Sequence, residues 1–533
     1  MTSRLPLRAS EQIQGNILAG FNKDHVSLLF VRFTDVAKAR AWLKGLIPQV
    51  ATTAAVTQFN EKFSAARRNA GGADPEKLKA TWIGLSLTHP GIQFLTEREE
   101  IFPEITPGST VDAFVQGAAQ RAPVLGDVDE NAPDHWLFGK DDDDKVVHAV
   151  LTVASDTDLK AAVSGQTEAI SRAGAVLLYV QEAETLPGER AGKEHFGFKD
   201  GISQPGVAGF DEPDPDNPRY AKGKPGTRII PAGEFVVGYD RAVAPEGFHR
   251  IYPVVENPPA WMKDGSFHVV RRLAQDVPGW WAQVGALLKQ LKEEEAVGEE
   301  ATPEWLAARF VGRWQSGTSV AKCPMMPPGE TEVVPDNEFS FRDDLDGRTT
   351  PLFSHIRACN PRDGFNEGAG EEAQPEELID IGRIMRRGIP YGEPFDPAGG
   401  KGGGVNASRG LVFGCYQADL MNQFEFMQKD WCTDPNFPPG RDPQPGPDAM
   451  IGGELTGITD GRVAFHHEAA PAPTVLRLRQ FVRTEGAVYA FAPSLDTLRL
   501  LSEGRLEGEV PGRPRQPSKS QSAVSSVTGS LGL

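Results

Sequence analysis

The order of predicted strands and helices constrains the fold most, because one order occurs twice along the chain. The first third contains four β-rich apolar runs, at 25–33, 81–87, 146–153 and 175–180. A helical spacing of apolar residues follows the first run, at 36–46, and the third run, at 157–172. Strand–helix–strand followed by strand–helix–strand is the order of a ferredoxin-like α+β unit.

The second half of the chain has a similar order. Strands are predicted at 234–239, 266–272 and 410–417, with a final hairpin from 475–482 and 487–491. Helices are predicted at 277–291, from Pro303 to about 314, and at 420–431. Two α+β halves are therefore expected, although we find no residue-level repeat between them. We expect an N-terminal half over 1–190, a C-terminal half over 191–510 that begins with a long Gly-, Pro- and Asp-rich loop, and a disordered tail over 511–533.

Charge and composition exclude several classes of partner. The chain has 55 Lys and Arg against 73 Asp and Glu, a formal charge of −18, which argues against binding to nucleic acid or to an anionic membrane. No run of 18 apolar residues is present, and the N-terminus lacks the apolar core of a secretory signal. The four cysteines form no CxxC pair. We therefore expect a cytoplasmic protein with reduced thiols and with neither nucleic acid nor a membrane as its partner.

Three segments carry residue types that suit catalysis. Asp200 lies in the glycine-punctuated segment HFGFKDGISQPG, for which an ordinary Asp-Gly turn is the alternative. His355 lies in SHIRACNPR between apolar neighbours, where a lone histidine is usually a core residue. Three arginines occur in RIMRRGIPYG, and a buried arginine there would need an anion such as a carboxylate or a propionate.

Together, these residue types fit the chemistry of peroxide at a haem. A histidine can be the single protein ligand of a haem iron. A carboxylate can move a proton between the two peroxide oxygens, and a cation can stabilise charge on the departing oxygen. His355, Asp200 and Arg386 are the residue types that could fill these roles. The adjacent His466 and His467 cannot both face one metal from a strand, so we do not expect them to be ligands.

The same segments resemble those of a known family. GFKDG at 197–201 is similar to the GxxDG motif of the dye-decolourising peroxidases, and SHIRACNPR and MRRGIPYG resemble that family's proximal-histidine and distal-arginine segments. IQGNILAGF and GLVFGCYQ also resemble family segments, and all of the matches follow the family's order. The resemblance implies an α+β fold of two ferredoxin-like halves with antiparallel sheets and with haem in the C-terminal half. The long chain is similar to the larger subgroups of the family.

The resemblance also implies roles for individual residues. His355 would be the proximal ligand of the haem iron, Asp200 the distal acid/base and Arg386 the distal arginine. Arg357 matches a position that pairs with a haem propionate. Gln480 lies near the position where some relatives have an acidic partner for the proximal imidazole, so this partner stays open. The other implied cofactor contacts are Ile202, Gln204, Leu411 and Phe413.

The implied activity is that of a peroxidase with one haem b per chain. Hydrogen peroxide would oxidise it to a ferryl–porphyrin radical, which dyes, phenols or other one-electron donors would then reduce. Tyr391 and Trp431 match positions where relatives form surface radicals, with core packing as the alternative. A haem carrier with little turnover would use the same His355, and a non-haem hydrolase would use Asp200 as its base. The physiological donor and the oligomeric state, a homo-oligomer included, are left open.

The tail carries a second resemblance. Its last residues, AVSSVTGSLGL at 523–533, follow a proline- and serine-bearing stretch and contain its only large apolar side chains. They resemble the GSL-containing C-terminal peptides that load some peroxidases of this family into encapsulin shells. An extended linker with a short apolar end has the layout of a docking peptide. Location inside an encapsulin compartment is therefore an expectation, and a frayed terminus is the alternative.

Overall fold

The computed structural model describes residues 5–506 apart from 73–74, 247, 326–334, 365–374, 397–402, 456, 458 and 468–471. Its α-helices are α1 Gly15–Leu18, α2 Val36–Leu46, α3 Thr53–Asn69, α4 His89–Thr96, α5 Thr110–Arg121, α6 Leu159–Arg172, α7 Val277–Glu293, α8 Pro303–Val311, α9 His355–Cys359 and α10 Leu495–Ser502. Its strands are β1 His25–Arg32, β2 Thr81–Leu87, β3 Ala149–Ser155, β4 Val176–Glu184, β5 Gly206–Val207, β6 Ile229–Ile230, β7 Ser266–Gln275, β8 Met385–Arg386, β9 Ile389–Tyr391, β10 Gly410–Gln417, β11 Glu454–Leu455, β12 Thr459–Asp460, β13 Arg462–Phe465, β14 Thr474–Arg477 and β15 Val482–Ala492.

The strands of the N-terminal half lie in the order β4–β1–β3–β2, and all three pairings are antiparallel. Strand β1 is buried on both faces because its apolar residues alternate between two cores. Leu29 and Val31 belong to the core that includes Trp42 of α2, whereas Phe30 of the same strand belongs to a second core on the opposite face. Asp35 caps α2 by accepting a hydrogen bond from the backbone N–H of Lys38.

The C-terminal half repeats this strand order. Its strands lie in the order β15–β7–β10–β8, with β9 also paired to β10, so that β8 and β9 together form one interrupted edge strand. The two half-sheets meet where Leu87 of β2 pairs with Phe491 of β15, which gives one continuous nine-stranded sheet. The expected α+β fold with antiparallel sheets is confirmed. The boundaries 1–190 and 191–510 stay a prediction, and the tail 511–533 lies outside the described residues.

The predicted hairpin near the C-terminus is wrong. Residues 482–492 form the single strand β15, and the turn residues around Gly486 form a β-bulge instead. Strand β7 offers β15 a continuous antiparallel partner from Gln275 to Ser266, so the chain does not reverse. At Gly486 a Cβ would come within 2.8 Å of the Phe138 ring, so the bulge needs glycine. The segment before it, β14, pairs with β13.

The strand predicted at 234–239 is also absent. This segment begins with a 3₁₀ turn at Ala232–Glu234, and the Glu234 carboxylate is fully buried between Arg241 and Arg250. The helix predicted at 420–431 is present but is wound mainly as π-helix, over Leu420–Glu425 and Met427–Thr433. A π-helix bonds i to i+5, and apolar spacing over three turns does not separate it from an α-helix.

Among the described residues, no helix is long and apolar enough to cross a bilayer.

Candidate active site

One cavity, beside the C-terminal half of the sheet, brings the three predicted catalytic residues together. Asp200, His355 and Arg386 all line it, together with side chains from β7, β10 and the π-helical segment. The cavity holds about 1770 Å³ of space outside protein atoms, including the part open to solvent. The three segments singled out in the sequence, more than 150 residues apart at their extremes, therefore form one site.

His355 lies at the start of α9 and is held by an acidic partner. Its Nδ1 donates to Oδ2 of Asp448 at 2.9 Å, and Asp448 is fully buried. The second carboxylate oxygen of Asp448 accepts from the backbone N–H groups of Met450 and Ile451. This arrangement fixes the tautomer and leaves Nε2 as the free ligand atom. The sequence leaves this partner open, with only Gln480 near its expected position, whereas the structure has Asp448 there.

A small metal site at the same place does not fit these contacts. His355, Cys359 and Asp448 have potential ligand atoms within 4.8 Å of one another. However, both oxygens of Asp448 and the Nδ1 atom of His355 are already engaged in hydrogen bonds. The Cys359 sulfur lies 3.7 Å from Nδ1 and 4.0 Å from Nε2 of His355. The free Nε2 instead fits an iron approached from the cavity, as in a haem with a histidine ligand.

The loop that carries Asp200 is anchored by Glu194. The two oxygens of the Glu194 carboxylate accept from the backbone N–H groups of Phe196 and Phe198, each at 2.8 Å. Both phenylalanine rings pack against Trp280 of α7. Between them, the backbone at residue 197 has a φ of +105°, a conformation that requires glycine. The loop therefore presents Asp200 to the cavity from a fixed backbone.

Arg386 on β8 forms an ion pair with Asp200. Its Nη1 donates to Oδ1 of Asp200 at 2.8 Å. Burial opposes ionisation of Asp200, but the charge and hydrogen bond of Arg386 outweigh it, helped by the N–H of Gly201, so the pKa of Asp200 falls below its ordinary value of 3.8. Asp200 is therefore a carboxylate that can accept a proton, next to a permanent cation.

The wall of the cavity next to this pair is apolar. Leu411 and Phe413 project into it from alternate positions of β10, and Ile202 lines it from the Asp200 loop. Gln204, which the resemblance implied as a cofactor contact, does not line the cavity. Its side chain bonds the main chain of Arg386 instead. An apolar wall facing a histidine with a free Nε2 fits a flat macrocycle such as haem.

Arg357 does not have the surroundings expected for a propionate partner. It is 2% exposed, does not line the cavity, and donates to Asp344 and to the carbonyl of Thr350. The reason is helical geometry, because residues two apart on α9 do not face the same side. The resemblance-based role of Arg357 is therefore corrected.

Two other arginines, Arg313 and Arg383, also line the cavity. Among the described residues, Arg313 donates only to carbonyl oxygens and to the side chain of Asn337, and burial lowers its pKa to about 9. Arg383 makes no side-chain hydrogen bond to any residue that the structure describes, and burial also lowers its pKa. A buried cation, Arg313, and a half-buried one, Arg383, both without carboxylate hydrogen bonds to described residues, would be stabilised by an anionic ligand. Arg383 is one of the three arginines of RIMRRGIPYG, for which the sequence predicts an anionic partner if they are buried, whereas nothing in the sequence indicates Arg313.

Tyr391 and Trp431 are not surface residues, so that part of the expectation is wrong. Tyr391 is 3% exposed and lies beneath the guanidinium of Arg272. Trp431 is 7% exposed and packs between Phe426 and Phe437. Both side chains are therefore packed in the core, which is the alternative given above for these two residues.

Comparison with known proteins gives one consistent family. Residues 12–188 match the family described as the DyP dimeric alpha+beta barrel domain. A dye-decolorizing peroxidase of Mycetinis scorodonius is 28% identical over 503 residues, covering 91% of this chain and 86% of that protein. The multifunctional dye peroxidase of an Amycolatopsis species is 28% identical over 506 residues, covering 92% of this chain and 95% of that protein.

Solved structures give the same family. An ancestral D-type dye-decolorizing peroxidase has a TM-score of 0.71 and 31% identity, covering 93% of this chain and 99% of that one. A dye-decolorizing peroxidase in complex with 2,6-dimethoxyphenol also has a TM-score of 0.71, with 26% identity over 93% of this chain and 99% of that one. Near-complete coverage of both chains, with the histidine, carboxylate and arginine in one cavity, leads to a single assignment. The chain belongs to the dye-decolourising peroxidase family and is a haem-dependent peroxidase.

Proposed function

We propose that the cavity of the C-terminal half binds one haem b per chain, whose iron His355 would hold, with Asp200 and Arg386 as the residues that would act on peroxide. The observation that carries the proposal is the Asp200–Arg386 ion pair, which shares one cavity with the free Nε2 of His355. A bound haem would supply the iron that holds peroxide and takes up its oxidising equivalents. The macrocycle would be covered by three apolar side chains, Ile202, Leu411 and Phe413. Gln204 would hold the main chain of Arg386 in position.

The residues of the chain account for the proton transfer. The Asp200 carboxylate would accept a proton from one peroxide oxygen and return it to the other oxygen, which departs as water. Arg386 stabilises negative charge on that departing oxygen. Asp448 keeps the proton on Nδ1 of His355 and makes the imidazole a stronger donor to the iron.

Arg313 and Arg383 are proposed to bind the two propionates of the haem. Both side chains line the cavity, and among the described residues neither donates to a carboxylate. A propionate would compensate a buried guanidinium through charge-assisted hydrogen bonds. Arg357 is not available for this role because Asp344 already engages it.

A haem carrier with little turnover would need His355 but would have no use for the Asp200–Arg386 pair. The pair supplies both groups that turnover of hydrogen peroxide needs, a proton acceptor and a cation. The pair therefore supports turnover of hydrogen peroxide. Aromatic donors are proposed because a solved relative is a complex with 2,6-dimethoxyphenol.

The proposed location is the cytoplasm, inside an encapsulin shell. All four cysteines are free thiols, as expected in a reducing compartment. The AVSSVTGSLGL sequence at 523–533, on a linker from 511, is the feature that supports docking to a shell. Co-expression with the cognate shell tests this, since the full-length chain should elute with the particle and a chain ending at Gly512 should not. Loading of both forms to the same extent would contradict the docking role.

Haem binding is tested with the purified, haem-loaded protein. Wild type should show a Soret band and a haem-to-chain ratio near one by pyridine haemochromogen assay. His355→Ala should lose the haem or its peroxide-dependent dye oxidation. His466→Ala, a histidine of comparable partial burial outside the cavity, is the matched control and should retain both. Full haem content and turnover in His355→Ala would exclude His355 as the iron ligand.

A further inference from the structure

Two of the four free thiols lie in contact with each other. The Sγ atoms of Cys359 and Cys432 are 3.4 Å apart, although the residues are 73 positions apart in sequence. Both residues line the cavity, whereas Cys323 and Cys415 do not. Neither the resemblance nor the peroxidase chemistry derived above uses this pair.

The elements that carry the two thiols hold them at different depths. Cys359 ends α9, one helical turn after His355 and on the same face of the helix. It is partly exposed, whereas Cys432 in the π-helical segment is 0% exposed. A disulfide bond is about 2.05 Å long, so the two sulfurs would need to approach by only about 1.4 Å.

We propose that Cys359 and Cys432 form a peroxide-sensitive dithiol that closes to a disulfide. The thiolate of Cys359 attacks one oxygen of hydrogen peroxide, so that an S–O bond forms, the O–O bond breaks and hydroxide leaves. The thiol of Cys432 then attacks the sulfenic sulfur, so that the S–S bond forms, the S–O bond breaks and water leaves. Overall, two thiols lose two electrons and two protons, and one hydrogen peroxide becomes two waters.

The order of the two steps follows from access. Cys359 lines the cavity on the His355 side and is the more exposed of the two thiols, so it meets peroxide, the enzyme's own oxidising substrate, before Cys432 does. Cys432 is buried behind it and is already in contact with the sulfur that it must attack. A buried resolving thiol in contact with a partly exposed one favours the disulfide over further oxidation to sulfinic acid.

The disulfide would connect two elements of the proximal side. Helix α9 carries His355, and the π-helical segment Met427–Thr433 carries Cys432. A cross-link that closes a loop of this length stabilises a fold by restricting the unfolded chain. The oxidised enzyme should therefore unfold at a higher temperature than the reduced enzyme, and a dithiol reductant should reverse the change.

The test uses the full-length holoenzyme treated with a small excess of hydrogen peroxide and no aromatic donor. The sample is unfolded, alkylated, digested without reductant and analysed by mass spectrometry. The expected product is a linked pair of peptides containing positions 359 and 432, two hydrogens lighter than the sum of the reduced peptides. Cys323 and Cys415 should remain alkylated, and dithiothreitol treatment should release the link.

The variants separate the two thiols. In Cys432→Ser, the sulfenic acid of Cys359 should persist and be trapped by dimedone, whereas Cys359→Ser should give no adduct at position 432. Cys323→Ser is the matched control and should form the 359–432 link as wild type does. Full alkylation of all four cysteines after peroxide, a link to another cysteine, or sulfinic acid at 359 with a reduced Cys432 would each overturn the proposal. None of these outcomes bears on haem binding by His355.

Discussion

Gln204 holds the main chain of Arg386 by two hydrogen bonds. Its Nε2 donates to the carbonyl oxygen of Arg386 at 2.8 Å, and its Oε1 accepts from the backbone N–H of Arg386 at 3.2 Å. Gln204 belongs to the same loop as Asp200, so one amide fixes the spacing between the two charged side chains. It acts as a positioning residue, outside the cavity lining.

Replacing Gln204 should therefore slow the reaction with peroxide without releasing the haem. Gln204→Leu keeps the side-chain volume but removes both hydrogen bonds, and a misplacement of about 1 Å at a catalytic group can cost about a hundredfold in rate. We expect a decrease of tenfold or more in the rate of peroxide consumption, with an unchanged Soret band. Gln166→Leu removes a buried amide far from the cavity and should leave the rate as in wild type. Equal rates in Gln204→Leu and wild type would show that strand β8 positions Arg386 without help from Gln204.

The pH profile should report the depressed pKa of Asp200. The reaction needs the carboxylate form, so the rate is lost only as the pH falls through the folded-state pKa, which lies below 3.8. In Arg386→Leu the attraction that lowers this pKa is gone while burial still opposes ionisation, so the acid limb should move to higher pH. The rate of peroxide consumption from pH 2.5 to 7 measures both limbs. If the acid limb lies at the same pH in wild type and Arg386→Leu, Arg386 does not cause the low pKa of Asp200.

Asp448 should set the reduction potential of the bound iron. Asp448→Asn keeps a hydrogen-bond acceptor for Nδ1 of His355 but removes the negative charge, so the imidazole becomes a weaker donor. We expect a higher Fe(III)/Fe(II) potential and a slower reaction with peroxide, measured by spectroelectrochemistry. Asp380→Asn, which removes a buried carboxylate paired with Arg228, is the control and should leave the potential unchanged. A potential that does not move in Asp448→Asn would contradict a proximal role for this carboxylate.

Replacing Tyr391 or Trp431 should affect the stability of the fold and should not affect the oxidation of bulky donors selectively. Both are buried, so Tyr391→Phe and Trp431→Phe should change the oxidation of a bulky dye and of a small phenol by the same factor. Trp431→Phe also leaves space beside Phe426 and Phe437 and should lower the free energy of unfolding by about 1 kcal/mol. Steady-state rates on both donors, with thermal unfolding, measure these effects. A selective loss of bulky-dye oxidation would contradict this prediction and support electron transfer through these two rings.

Local patterns in the sequence predicted the elements whose structure depends on local interactions. Helix α2 and strands β2 and β10 have the predicted bounds because periodic apolar residues and turn signals delimit them. The sequence predicts a turn within strand β15 because Glu485 and Gly486 are typical turn residues, and only pairing with the distant strand β7 makes them a bulge. The strand order and the joining of the half-sheets likewise depend on contacts between distant residues.

The residues of the site likewise divide into those that local sequence patterns indicate and those that depend on distant contacts. Asp200, His355 and Arg386 were found because each lies in a recognisable segment, and chemistry linked the three. Asp448 follows a proline-rich stretch with no periodicity, so nothing in the sequence indicated that it reaches His355, 93 residues away. Helical geometry could have excluded Arg357, since it lies two residues after His355 on α9.

The central claim is that Asp200 moves the peroxide proton in a cavity whose iron His355 holds. Stopped-flow mixing of the haem-loaded enzyme with hydrogen peroxide, followed at the Soret band, tests it most directly. Asp200→Asn, loaded with the same amount of haem as wild type, should react about a hundredfold more slowly or worse, because an amide cannot accept the proton. A second-order rate constant equal to that of wild type would contradict the account.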